Sequence, residues 1–223
     1  MAATRRPAQT PKNKAKPSRS AASKKSHAKP GAAPAELPQL AFTSAAELAR
    51  WFAKHHGSSR GIWLQLMKKA SGRASVSYQE ALGVALAWGW IDGQLKPLDE
   101  DSFLRKFTPR GARSIWSKIN RDKALALIAA GEMKPAGLAE VERAKADGRW
   151  QAAYDSAKSA KVPADLAAAL AQSPRATAFF GELEARNRYA VLFRVQAPKK
   201  AETRARKVRE IVAMLERGEK FHP

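Results

Sequence analysis

The sequence predicts an α+β fold: a single, mainly helical domain with a small antiparallel β-sheet in its N-terminal half and a disordered basic N-terminal tail. Three observations predict it. Most of the chain after residue 36 repeats apolar residues at helical spacing between caps, glycines and prolines. Three short segments before residue 110 favour strands instead. The first 35 residues hold nine Lys or Arg, no Asp or Glu, and one large apolar side chain, Met1.

The tail, residues 1–36, is predicted to be disordered because its few apolar groups do not offset an ordering entropy of about 1–2 kcal/mol per residue. The net charge of the chain is +21, and the chain beyond residue 35 is also basic. Such a tail attracts phosphates by counterion release, without sequence preference. A solubilising extension that binds nothing in particular explains the same composition equally well. The candidate polyanion contacts are Lys12, Lys14, Lys16, Lys24 and Lys25.

Residues 37–223 form the predicted domain, whose N-terminal half alternates helices with strands. Ser44 and Ser77 each precede an apolar helical stripe and have a glutamate three residues on, which is the capping-box pattern. The acidic connection Leu98-Asp99-Glu100-Asp101 is typical of a polar turn that joins two strands into a hairpin. The predicted strands run from Gly61 to Lys69, from Trp90 to Leu95 and from Ser102 to Thr108.

The C-terminal half is predicted to be helical and punctuated by proline. One helix is entered at Ser114 to Asn120, with Asn120 as an internal cap. Later helices start at or beside prolines, which suit the first helical position; these are Pro135, Pro163 and Pro174. The last helix has one apolar face and one basic face. Its basic residues, which are further polyanion candidates, are Arg204, Arg206, Lys207 and Arg209.

Residues 88–120 concentrate the aromatic, carboxylate and guanidinium groups of the chain. Asp92 precedes a glycine near the end of a predicted strand, and several arginines follow the return strand. Such groups beside tryptophans form a pocket that stacks a planar group and clamps an anion. Alternatively, Asp92 bonds the turn or pairs with Arg110, while the tryptophans are core. The ligand-binding candidates are Trp90, Asp92, Arg105, Arg110, Ser114, Trp116 and Asn120.

Several functional classes are excluded or unsupported. The chain has no cysteine, which excludes disulfides, thiolate metal sites and cysteine nucleophiles. It has no nucleotide-binding loop, zinc-protease motif or serine-hydrolase elbow, so no catalytic residue is assigned. We expect neither a cofactor nor a metal, since the acidic turn lacks the ligand spacing of a calcium loop. There is no transmembrane stretch, and no apolar segment follows Arg5 and Arg6, so the expected location is the cytoplasm.

Seven strings, taken in order, resemble the YdeI/OmpD-associated family over roughly Leu40 to Glu219. They are G-I-W-L at Gly61 to Leu64, W-I-D-G at Trp90 to Gly93, F-T-P-R at Phe107 to Arg110, S-x-W-S-K-x-N at Ser114 to Asn120, G-x-M at Gly131 to Met133, A-K-x-D-G-R-W at Ala144 to Trp150, and E-T-R at Glu202 to Arg204. The resemblance implies a cytoplasmic bacterial protein linked with envelope stress and with protection from bacteriocins or cationic peptides. It implies no catalytic residues.

These observations support three functions of different classes. The leading hypothesis is a non-catalytic, stress-associated binding protein with a cleft for a small anion or a peptide. The alternative is a non-specific nucleic-acid-associated protein that uses the tail and the last helix. The third is a small-molecule enzyme that uses the Asp92 carboxylate as an acid or base. A chain of charge +21 repels cationic peptides, so protection against them acts through an anionic ligand or another protein.

Removal of residues 1–35 is expected to weaken nucleic-acid binding and its dependence on salt. Each phosphate neutralised by the tail steepens the slope of log affinity against log salt by about 0.9 on duplex DNA, so the truncated protein should show a shallower slope. The measurement is a titration of mixed-sequence DNA with full-length and truncated protein at several salt concentrations. An unchanged slope assigns binding to the basic face of the last helix, and a strong preference for one DNA sequence contradicts the hypothesis.

Overall fold

The structure, a computed structural model, describes residues 36–198 and 200–223. Within these residues the strands are β1 (Gln39–Ala41), β2 (Ile62–Met67), β3 (Trp90–Pro97) and β4 (Ser102–Pro109). The helices are α1 (Ala45–His55), α2 (Tyr78–Ala87), α3 (Lys118–Ala129), α4 (Pro135–Ala146), α5 (Ala164–Ala171), α6 (Pro174–Glu182), α7 (Ala185–Gln196) and α8 (Ala201–Glu216). Residues 1–35 lie outside the described residues. They include nearly all of the tail that is predicted to be disordered, with the candidates Lys12, Lys14, Lys16, Lys24 and Lys25.

A four-stranded sheet with the order β1-β2-β4-β3 lies in the N-terminal half. The three predicted strands are confirmed, and they pair antiparallel as β2 with β4 and β4 with β3. The sheet is nevertheless mixed, because β1 pairs parallel to β2, with Leu40 opposite Leu64. Three residues are too few to show an alternating pattern, which explains why this strand was not predicted. The mainly helical α+β fold is confirmed.

Serine side chains cap the N-termini of four of the described helices, α1, α2, α3 and, through Ser173, α6. The Ser77 box of α2 is complete: Ser77 Oγ accepts from the Glu80 amide at 3.3 Å, and the Glu80 carboxylate accepts from the Ser77 amide at 2.8 Å. Ser44 accepts from the amide three residues on at the start of α1. Helix α3 is capped by Ser117, whose Oγ accepts from the Asn120 amide at 3.1 Å. The prediction that Asn120 is the cap was wrong, since Asn120 already lies inside the first turn.

Three apolar clusters form the interior. One fills the space between the sheet and helices α1 and α2, and includes Phe52 and Trp90. The second joins α2, α3 and α4 to residues 150–153, with Trp116 and Trp150 in contact at 4.9 Å between ring centroids. The third lies among α5, α6, α7 and α8. No helix in the described residues is long and apolar enough to cross a membrane.

Helices α2 and α4 approach each other closely at Gly137. A Cβ atom added there overlaps the carbonyl oxygen of Ala87 and lies 2.5 Å from Met133 Sδ. The amide of Lys134 also donates to the Ala87 carbonyl at 3.0 Å. Ala87 ends α2 just before β3, so this contact fixes the point at which β3 leaves the helix layer. It thereby also positions the end of β4, which Arg110 directly follows.

Gly137→Ala is expected to lower the free energy of unfolding by about 1–3 kcal/mol, because the new methyl group overlaps backbone that does not move freely. The matched control is Gly83→Ala inside α2, where an added Cβ meets nothing within 4 Å. That control is expected to raise the free energy of unfolding by about 0.5–1 kcal/mol through helix propensity. Chemical denaturation measures both, and equal effects at the two sites would refute the close approach.

Candidate functional site

Arg110 is a buried cation at the end of β4. Its side chain is 4% exposed, and its guanidinium carbon lies 3.5 Å from the centroid of the Trp116 ring. Nη1 donates to the Ile115 carbonyl at 3.3 Å, whereas Nε and Nη2 are buried without a hydrogen-bond partner. Among residues 36–198 and 200–223, no carboxylate forms an ion pair with Arg110.

Burial lowers the pKa of Arg110 to about 10, and the charge of Glu140 offsets part of that effect. The nearby charge of Arg149 lowers the same pKa further. Burial also raises the pKa of Glu140, against the opposing effect of its ion pair with Arg143. Arg143 in addition donates to the Arg110 carbonyl at 3.2 Å. Arg110 remains charged at neutral pH in surroundings that disfavour the charge.

Arg149 is the second buried guanidinium, with 7% of the side chain exposed. Its Nε bonds both oxygens of the Asp147 carboxylate at 2.9 and 2.7 Å, and its Nη1 donates to the Ser114 carbonyl at 2.6 Å. Its Nη2 is buried without a partner. Arg149 and Arg110 thus donate to two consecutive backbone carbonyls, those of Ser114 and Ile115. These carbonyls lie in a loop, where no neighbouring strand supplies amide donors to them.

Four buried atoms of this cluster have unused hydrogen-bonding capacity. They are Arg110 Nε, Arg110 Nη2, Arg149 Nη2 and Trp116 Nε1. All four are donors, since guanidinium and indole nitrogens carry hydrogen and accept nothing. Buried polar groups are normally satisfied, so the cluster favours a group that brings acceptor atoms. We call Arg110, Trp116 and Arg149 the donor cluster.

Asp92 and Arg105 form a neighbouring cluster with Tyr78. The Tyr78 hydroxyl donates to Asp92 Oδ2 at 2.9 Å, and Arg105 Nη1 lies 3.7 Å from the same oxygen. Arg105 also donates to the Gly93 carbonyl at 3.0 Å, and its guanidinium carbon lies 4.9 Å from the Tyr78 ring centroid. The close partners of Asp92 are therefore Tyr78 and Arg105. Its charge nonetheless reaches Arg110, whose pKa it raises.

The remaining candidates are placed as follows. Ser114 takes part in the donor cluster through its carbonyl, while its Oγ accepts from the Gly111 amide at 3.1 Å. Trp90 lies in the first core cluster, 1% exposed, and its Nε1 donates to the His56 carbonyl at 3.2 Å. Asn120 lies in the first turn of α3. The structure thus brings together Arg110, Trp116 and Ser114, sets Asp92 and Arg105 beside them, and places Trp90 elsewhere.

The basic residues of α8 are largely engaged by carboxylates. Arg204 bonds both oxygens of Asp165, at 2.6 and 2.9 Å, and also donates to the Val195 carbonyl at 3.0 Å. Lys207 and Arg206 lie 2.5 and 3.6 Å from the carboxylate of Glu210. The charge of Arg209 contributes to lowering the pKa of Glu210, after the larger effect of Lys207. Arg204 therefore fastens α8 to α5, and its neighbours form local ion pairs.

Arg149 was not among the predicted site residues. It lies in the string A-K-A-D-G-R-W, where Asp147 and Arg149 flank a glycine with φ of 76°. The sequence has a carboxylate and a guanidinium two residues apart across this turn, a pattern compatible with the local pair seen in the structure, but it contains no signal for the contact of Arg149 with Ser114. Within the described residues, no group of three His, Cys, Asp or Glu is arranged to hold a metal ion.

A cavity of about 180 Å³ adjoins the donor cluster. Arg149, Ile115 and Tyr154 line one side, and Phe193 and Pro198 at the end of α7 line the other. Tyr154 lies outside the helices and forms a parallel bridge with Ser117. The rings of Tyr154 and Phe193 meet edge to face at 5.1 Å.

Two family models match separate parts of the chain. Residues 159–218 match the family described as Bacteriocin-protection, YdeI or OmpD-Associated. Residues 40–140 match a family described only as a domain of unknown function, DUF8412. No curated protein and no solved structure gives a significant match. Arg110 and Trp116 lie within residues 40–140, the stretch that matches the domain of unknown function. Arg149 lies between the two matched stretches.

Asp92→Asn is expected to lower the pKa of Tyr78. Burial raises that pKa to about 12, and the hydrogen bond to Asp92 adds to the rise. Because the folded-state pKa exceeds the ordinary value of about 10, Tyr78 contributes stability that is complete below about pH 10 and is lost as the pH rises to about 12. Phenolate absorbance during an alkaline titration measures the change.

Two further variants identify the titrating group. Tyr78→Phe should remove the late phenolate transition, whereas Tyr189→Phe, at a tyrosine that donates to the Asp155 carbonyl, should retain it. A late transition that persists in Tyr78→Phe would show that it belongs to another tyrosine, such as Tyr189, whose pKa burial also raises.

Proposed function

We propose that this protein, whose residues 159–218 belong to the YdeI/OmpD-associated family, is a non-catalytic binding protein that takes a small anionic ligand at the donor cluster. One observation carries the proposal: Arg110 is a cation only 4% exposed, with two guanidinium nitrogens that have no partner. An uncompensated buried charge costs several kcal/mol. A ligand that supplies anionic oxygens removes that cost, which favours binding.

The free atoms of Arg110 have the arrangement that an oxyanion needs. Nε and Nη2 share one edge of the planar guanidinium, and their N–H bonds point in parallel. The other terminal nitrogen, Nη1, is occupied by the Ile115 carbonyl, and the indole of Trp116 covers one face. The unpartnered edge of this buried guanidinium therefore matches two oxygens of a carboxylate or phosphate in the guanidinium plane.

The same geometry favours binding over catalysis. The unpartnered atoms are donors on groups that keep their protons at neutral pH, since even the lowered pKa of Arg110 is about 10. Proton transfer at neutral pH requires a group with a pKa near the working pH. Asp92, the carboxylate of the third hypothesis, already accepts from Tyr78 and lies beside Arg105.

The family description names bacteriocin protection, and we extend that role to this chain as part of the proposal. A net charge of +21 opposes direct capture of a cationic peptide. Protection would act in the cytoplasm through the bound anion, whose presence changes the stability and surface charge of the protein.

Acetate and phosphate are expected to raise the melting temperature of the wild-type protein above that in chloride at equal ionic strength. A ligand that binds only the folded state stabilises it by about 2.7 kcal/mol at a hundredfold excess over its Kd. Arg110→Gln should lose the response. Arg110→Lys should lose most of it, because an ammonium keeps the charge but lacks the two-donor edge. Thermal unfolding against anion concentration measures all three proteins.

The matched control is Arg188→Gln. Arg188 also stacks on an aromatic ring, with its guanidinium carbon 4.4 Å from the Phe180 centroid, and also donates to a backbone carbonyl, at 3.4 Å. It is half-buried and has no unpartnered buried nitrogen. The control should respond like the wild type. An anion response that survives Arg110→Gln as well as Arg188→Gln would refute the proposal.

A further inference from the structure

The cavity beside the donor cluster has an apolar wall and one charged corner. Ile115, Phe193 and Pro198 line it with apolar atoms, and Tyr154 adds the face or edge of its ring. Arg149 is the one charged side chain among its lining residues, is 7% exposed, and has an unpartnered Nη2. Gln196, a polar residue of the lining, uses its Oε1 to accept from the Asp155 amide at 3.4 Å.

From this arrangement we propose that the ligand is a small apolar carboxylate, with its carboxylate at Arg149 and Arg110 and its hydrocarbon group in the cavity. The inference rests on the proposed function and adds the chemical class of the ligand. Arg149 and Ile115 connect the two halves of the site: Arg149 belongs to both, and Ile115 lines the cavity while its carbonyl accepts from Arg110.

The size of the cavity limits the hydrocarbon group. Its volume is about 180 Å³, slightly larger than the roughly 150 Å³ engineered cavity that binds benzene in another protein. One six-membered ring or a branched chain of similar size fills this volume, whereas a nucleotide is too large for it. Ile115, which is 55% exposed, would pack against such an occupant.

The charge around the site favours a monoanion. Four guanidinium groups are accompanied by three carboxylates: Arg110, Arg149, Arg143 and Arg105 against Asp147, Glu140 and Asp92. Counting these seven groups leaves one positive charge. A carboxylate neutralises it, whereas a phosphate monoester at neutral pH adds up to one further negative charge. The two parallel donors on Arg110 also match the two oxygens of a planar carboxylate.

The probes are acetate, benzoate, benzyl alcohol and phenyl phosphate, titrated calorimetrically into the full-length protein. Benzoate should bind at least about tenfold more tightly than acetate, because the ring leaves water for an apolar wall. Benzyl alcohol, which has the ring without the charge, should bind at least about tenfold more weakly than benzoate. Tighter binding of phenyl phosphate than of benzoate would overturn the carboxylate assignment.

Ala152→Phe tests the cavity itself. Ala152 is exposed and lines the cavity, so a phenyl side chain there fills the space without entering the core. The variant should bind benzoate no more tightly than acetate. The matched control is Ala157→Phe, at another exposed alanine that lines a different cavity, and it should retain the benzoate preference.

The outcomes separate the two proposals. If acetate binds and is lost in Arg110→Gln, but benzoate binds no better than acetate, the proposed function stands and the apolar carboxylate is overturned. If no anion binds the wild-type protein, both are overturned. The comparison of acetate, benzoate, benzyl alcohol and phenyl phosphate on the wild-type protein tests the apolar carboxylate by itself, so a folding failure of Ala152→Phe leaves that test complete.

Discussion

The organisation of this domain depends on two buried guanidinium groups that hold the loop between β4 and α3. Arg149 bonds the Ser114 carbonyl at 2.6 Å, and Arg110 bonds the Ile115 carbonyl at 3.3 Å. The Trp116 carbonyl then accepts from the Tyr154 amide at 3.0 Å. Hydrogen bonds from charged donors contribute about 1.5–3 kcal/mol each. They position this loop against the segment that leads to the C-terminal helices.

Tyr154 and Asp155 connect this loop to the last helices. Tyr154 packs edge to face on Phe193 of α7, and the Asp155 amide and carbonyl bond the side chains of Gln196 and Tyr189. The carboxylate of Asp155 also lies 2.8 Å from Lys118 Nζ at the start of α3. A ligand bound between Arg149 and Phe193 therefore contacts elements on both sides of this connection. Its binding would stiffen the link between the sheet-containing half and the helical half.

Buried charge has different consequences at two arginines of this chain. Arg204 is fastened to both oxygens of Asp165 and to the Val195 carbonyl, so its three donor contacts are structural. The guanidinium of Arg110 is more buried and yet makes a single hydrogen bond within the described residues, and burial lowers its pKa to about 10. Locally unsatisfied groups of this kind are expected at functional sites, where a stability cost is tolerated for binding.

The sequence by itself determined the features that depend on near neighbours: the Ser77 capping box of α2, the proline at the start of α6, and the three strands of the antiparallel part of the sheet. It also indicated a site between Trp88 and Asn120, and within that range Arg110, Ser114 and Trp116 meet.

Only the tertiary structure decided the rest. Strand β1 has three residues and depends on pairing with β2, a contact between distant parts of the chain. Trp90 and Trp116 are both almost fully buried, yet packing gives Trp90 Nε1 the His56 carbonyl and leaves Trp116 Nε1 without a partner. Arg149 reaches the site from beyond α4. Local propensity acts over a few residues, whereas the choice of which buried donor receives a partner is made by packing across the whole domain.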